Sequence, residues 1–299
     1  MRPTVLLIPF VLACRGDTAD SGKALDTDSA GPAISEAPGP DRVGTYAHRL
    51  PESPRMVVFA GDSITAGAGV SNADEDYASL LVNNAGPWED WEGIDLATRY
   101  PGIDVVDISQ GGAWTGTVLG DQIEDFEEQV VLPFEGEVLV VVTVGGNDLQ
   151  SVLRDPSSVD ERIEKTVDNW REIAGYFLDE ERFPDGSTVL MANVYEPTDT
   201  VGQVRGCFYG LDISSLLPSL HDANTRLRGV AEEEGFSALD MRGTFLGHGF
   251  HHGDPATPYY DENDPSLWLA NDCIHPNPRG HHEIRAMFWR AIAGDPRRP

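Results

Sequence analysis

Four short polar segments hold residues whose types and spacing suit acyl-transfer chemistry. In Gly61-Asp62-Ser63-Ile64-Thr65 a serine directly follows an apolar run, a place that leaves its hydroxyl exposed near unpaired backbone N–H groups. Such a serine serves either as a nucleophile or as a plain helix N-cap. Ser109-Gln110-Gly111-Gly112-Ala113-Trp114 contains paired glycines, which let the backbone approach another group closely and aim an N–H at it. Gly145-Gly146-Asn147-Asp148 puts an amide donor on a tight turn, beside a carboxylate able to brace the loop. In Asp272-Cys273-Ile274-His275-Pro276 the carboxylate and imidazole are one turn apart, so Asp272 can fix the tautomer of His275 and stabilise its cation.

Positioning these groups requires a frame that brings four distant loops to one place. Short apolar runs predict buried strands over 56–60, 105–108, 138–144, 189–194 and 236–241. Helical periods lie between them. Val159, Ile163, Val167, Trp170, Ile173 and Phe177 recur at steps of three and four, and Ser158 with Glu161 reads as a capping box at their start. Asn277-Pro278 opens another helix with Ile284, Met287, Phe288 and Ala291 on one face, and a helix is also expected directly after Ser63. This alternation predicts an α/β domain over 54–299, a three-layer α/β/α sandwich around a mostly parallel sheet of about five strands. Ligands in such sheets lie beyond the carboxyl ends of the strands, where all four segments fall.

Taken in order, Gly-Asp-Ser-Ile-Thr, Gly-Gly, Gly-Gly-Asn-Asp and Asp-x-x-His-Pro resemble the blocks of the SGNH (GDSL-like) hydrolase family, over about 55–289. The resemblance implies a flavodoxin-like sandwich with Ser63 as nucleophile, His275 as general base and acid, and Asp272 as its orienting partner. It further implies an oxyanion hole made by the Ser63 N–H, the Gly112 N–H and the Asn147 amide, with no metal or organic cofactor. Ile64 stands where leucine is usual, Asp107 where asparagine opens the second block, and Trp114 where a small polar residue is common. The expected activity is that of a serine esterase working through a covalent acyl-enzyme, with carbohydrate or cell-wall acetyl esters as the first expectation. A lipase or lysophospholipase of the same family and a non-catalytic, carbohydrate-binding surface lipoprotein are the alternatives. Asp62, Trp114, Tyr209 and Trp268 are expected to line the substrate cleft.

Composition narrows the partners. The 299 residues include 21 Lys+Arg against 50 Asp+Glu, a formal net charge of −29, which repels nucleic acid and anionic membrane surfaces. No run of eighteen apolar residues occurs to span a bilayer. Residues 1–13 read as an export signal, and Cys14 after Val11-Leu12-Ala13 resembles a bacterial lipobox, so membrane contact is expected only through a lipid on Cys14. The expected location is the bacterial cell envelope, or the medium if the signal is an ordinary cleaved one. Residues 15–53, with four prolines, five glycines and seven acids, complete a 14–53 segment expected to be a disordered tether. In an exported protein Cys207 and Cys273 invite a bridge from the 195–212 insertion to the Asp272 loop. His248, His251, His252 and Asp254, in the 244–270 insertion, have ligand chemistry but fit no standard zinc spacing, so no metal is assigned.

Overall fold

The computed structural model describes residues 41–84, 88–203 and 212–294. Five strands, β1 (Met56–Gly61), β2 (Asp104–Asp107), β3 (Val138–Thr143), β4 (Ser187–Ala192) and β5 (Ser237–Leu239), pair in parallel throughout, in the order β2-β1-β3-β4-β5. β1, β3 and β4 are buried along their whole length, which is why each reads as a continuous apolar run. Alternate residues serve opposite layers. Val58, Val140 and Met191 pack under α2 (Val159–Leu178) and α3 (Leu217–Glu234), whereas Val57, Phe59, Val141 and Leu190 pack under α1 (Tyr77–Val82) and α4 (Pro278–Ala293). The three-layer α/β/α sandwich expected from the sequence is therefore the architecture found.

Strand order also locates the site. From β1 the chain crosses to β2 on one side and later returns to β3 on the other, so the loops leaving β1 and β3 diverge and open a crevice between them. Ser63 follows β1 and Asn147 follows β3.

Two local expectations are corrected. Ser158 is the N-cap residue of α2, yet its hydroxyl donates to the Asp155 carbonyl at 2.8 Å and accepts no capping bond. The 3₁₀ turn Pro156–Ser158 runs directly into the helix and leaves Ser158 at φ −93°, ψ 7°, without the extended backbone that a capping box uses. No α-helix begins after Ser63; residues 63–69 form successive turns, with Gly67 and Gly69 at positive φ, and the first α-helix starts at Tyr77. At α4 the expectation is met, since Asn277 accepts the Gly280 N–H at 3.0 Å and Pro278 takes the first helical position.

The globular body also begins before residue 54. Tyr46 exchanges backbone hydrogen bonds of 2.8 and 2.9 Å with Ala238 and so covers the outer edge of β5. Glu137 accepts from the Arg49 guanidinium and from the N–H groups of Glu52 and Ser53. Residues 41–53 are thus held on the body rather than forming part of a tether; 1–40, including the signal segment and Cys14, lie outside the described residues. Among the described residues no helix is long and apolar enough to cross a membrane.

Candidate active site

Ser63, His275 and Asp272 form one hydrogen-bonded line. Asp272 Oδ2 accepts from His275 Nδ1 at 2.6 Å, which leaves Nε2 as the acceptor for the Ser63 hydroxyl at 2.8 Å. The other carboxylate oxygen, Oδ1, accepts the N–H groups of Ile274 and His275 at 3.1 and 3.0 Å. Partial burial draws the Asp272 carboxyl upward, but the His275 ring and these two backbone donors outweigh it and hold the group down at about 2.

The loop carrying His275 is held from two sides. The Tyr195 hydroxyl donates to the Ile274 carbonyl, and the Tyr195 ring stacks on Phe245 at 4.5 Å. Gly69 faces it from the Ser63 loop, so closely that a Cβ there would stand 2.0 Å from the Pro276 carbonyl oxygen. His281 of α4, fully buried, bonds the Ala68 carbonyl through Nε2 at 2.9 Å and accepts the Tyr77 N–H at Nδ1.

A second network ties the two remaining loops together. The Asn147 side-chain amide donates to the Ala113 carbonyl at 2.9 Å. Asp148 accepts the Thr115 N–H at 3.0 Å and the Thr115 hydroxyl at 2.7 Å, and Asn169 of α2 donates to that hydroxyl. Asp148 therefore braces the loop as its position suggested. Gly112 lies in the exposed turn before Ala113 at φ +80°, with nothing within 4 Å of where a Cβ would sit, so its conformation rather than crowding asks for glycine.

An open cleft with a cavity volume of about 180 Å³ is lined by Asp62, Ser63, Asn147, Ile274 and His275. Burial pushes the Asp62 carboxyl up to about 7, although the Ile64 N–H bonds it and favours the charged form. Two other expected cleft residues stand elsewhere. Trp268 is buried in the core against His248, stacked at 3.5 Å, because its large apolar ring is worth more under α4 than at a wet surface. Trp114 is exposed beneath the Arg162 guanidinium and does not line this cleft. Tyr209 and Cys207 lie outside the described residues; Cys273 is disulfide-bonded.

Sequence reasoning missed several contributors. Tyr195 gave no signal beyond its place after a strand. Gln122, fully buried, clamps the Gly61 backbone through both ends of its amide, at 2.9 and 2.7 Å. Thr65 joins the Thr143 and Tyr77 hydroxyls beneath Ser63 at 2.6 and 2.8 Å. The two insertions are knitted together by Asp199, which accepts the N–H groups of Gly247, Gly249 and His251. His248, His251 and His252 each bond a different backbone carbonyl, and among the described residues no group of three or more His, Cys, Asp or Glu is gathered to hold a metal.

A family model described as GDSL-like lipase/acylhydrolase matches residues 59–283. Similar solved structures include LAE5, an alpha/beta hydrolase enzyme from the metagenome of Lake Arreo, Spain, at 20% identity and TM-score 0.52, covering 83% of this chain and 98% of that one. A variant of an acetyl xylan esterase from Geobacillus stearothermophilus is 17% identical with TM-score 0.52 over 83% and 98%. Phospholipase A1 from Streptomyces albidoflavus NA297 is 16% identical with TM-score 0.53 over 81% and 100%. No curated protein matches the chain. At these identities the solved structures speak for the fold, and the family match, which spans most of the chain, speaks for the chemistry: the chain belongs to the GDSL-like lipase/acylhydrolase (SGNH) family of carboxylic ester hydrolases.

Proposed function

We propose that this enzyme hydrolyses its ester by covalent acyl transfer from Ser63, with His275 as base and acid and Asp272 as the fixed anion behind it. The observation that carries the reading is the Ser63–His275–Asp272 line at 2.8 and 2.6 Å, opening on the cleft. The Ser63 proton passes to His275 Nε2 as Oγ attacks the carbonyl carbon. Asp272, ionised throughout the neutral range, stabilises the imidazolium. Charge on the tetrahedral oxygen meets the Ser63 and Gly112 N–H groups and the second amide hydrogen of Asn147, the first being committed to Ala113. Nε2–H then protonates the departing alcohol, and water repeats the sequence on the acyl-enzyme.

The experiment compares Ser63→Ala with the parent on p-nitrophenyl butyrate, with circular dichroism as the check on folding. Turnover is expected to fall by roughly 10⁴–10⁶. A folded variant that keeps its activity overturns the assignment. Export with a lipid on Cys14 is part of the same proposal, supported by the N-terminal pattern alone. Full-length protein made in a bacterial host should fractionate with membranes, and recovery wholly in the cytosol would contradict it.

A further inference from the structure

The cleft around Ser63 is lined for hydrocarbon. Outward from Asn147 its walls are Leu149 and Leu153, then Val159 at the start of α2, then Ile213, Leu216 and Leu220 where α3 begins. All six are half-buried and line the cleft, so part of their apolar surface faces its open space. Polar side chains nearer the catalytic line are already engaged within the protein. Asn193 donates to Asp240 and accepts the Arg242 N–H, and Glu196 accepts from Thr198 and Thr200. Among the described residues only Gln150 and Ser219 remain as polar side chains along the aliphatic walls, too few to read the several hydroxyls of a sugar.

Direction follows from the two layers. His275 arrives from the loop before α4, on one face of the sheet, whereas the aliphatic walls belong to α2, α3 and the Asn147 loop on the other. The departing oxygen must meet His275 Nε2 to take its proton, so the alcohol leaves on the α4 side. The other substituent of the carbonyl carbon, the acyl chain, then points along the aliphatic walls. Resting on the Ser63 reading above, we propose that this trough is an acyl-chain site and that the substrates are esters of medium or longer unbranched fatty acids rather than acetyl esters of carbohydrate.

The test uses the full chain on two ester series, one varying the acyl group and one the alcohol. For p-nitrophenyl esters from acetate to dodecanoate, kcat/KM should rise by up to about fourfold per methylene while the chain stays within the trough, then level off. Alkyl acetates from methyl to octyl should show no such rise. Filling the trough in Leu153→Trp, or in Leu216→Phe should the first fail to fold, should lower the octanoate-to-acetate ratio of kcat/KM by about tenfold or more. An optimum at acetate, or a rise confined to the alcohol series, overturns the acyl-chain site. Ser63→Ala separates the two levels: loss of activity with an acetate optimum refutes this inference alone, whereas activity that survives the substitution refutes the Ser63 reading and this one with it. A folded parent that hydrolyses no member of either series also refutes both.

Discussion

Asp62 and Ser63 are neighbours in sequence and opposites in environment. The serine hydroxyl faces the cleft, while the carboxyl beside it is buried and pushed up to about 7 from an ordinary value of 3.8. The folded state therefore keeps a proton that the unfolded chain releases, and the contribution of Asp62 to stability falls as pH rises from about 4 to about 7. Asp62→Asn retains an acceptor for the Ile64 N–H and removes the titration. Urea denaturation across that window should show the parent losing up to roughly 4 kcal/mol relative to the variant. Parallel stability curves would mean the carboxyl is ionised and solvated. At this scale the hydrogen-bonded line of Ser63, His275 and Asp272 was legible because serine, histidine and aspartate at those loop positions have few other reasons to coincide. Trp268 was misplaced because a tryptophan in a polar loop reads equally as a cleft wall or as a core plug, and only the proximity of Phe245, His248 and α4 decides between them.

At the scale of elements, α4 does more than cover the sheet. Through His281 it fastens the Ala68 carbonyl and the start of α1, and so sets how the Ser63 loop meets the His275 loop. Burial lowers His281 to about 4, below the 6.5 of a free imidazole. The unfolded chain thus takes up a proton that the folded one refuses, so the contribution of His281 is full above about 6.5 and is lost as pH falls toward about 4. His281→Gln should be less stable at neutral pH, and relative to it the parent should lose roughly 3 kcal/mol between about pH 6.5 and pH 4, a loss that opposes the gain from Asp62 in the same window. A stability difference between parent and variant that stays constant across this window would show that His281 does not titrate there. Strands β1, β3 and β4 and helices α2 and α4 were readable because burial on both faces, or on one stripe, leaves a direct trace in residue type. The turns at 63–69 and the Gln122 clamp left none, since a buried amide bonding a backbone sixty-one positions away looks like any polar residue on a helix.

For the molecule as a whole the question is what a net charge of −29 does to a fold whose edge is closed by an acidic anchor. Residues 41–53 cross from β5 to the amino end of β3, where Glu137, nearly buried, receives Arg49 and two backbone N–H groups. Their polar, proline-bearing composition hid this role, because every partner is distant in sequence. Two effects oppose each other in Glu137→Ala. Removing one negative charge relieves self-repulsion spread over the whole surface, a term that salt already screens beyond about 8–10 Å. It also strips four donors, the Thr188 hydroxyl among them, of an acceptor at a low-exposure site, at a cost of roughly 2–4 kcal/mol. The local term is the larger, so the variant should melt several degrees below the parent at physiological salt, and hydrogen exchange at Glu52 and Ser53 should quicken. A variant that melts higher would show that repulsion governs this protein and that the arm closes the sheet edge without stabilising it.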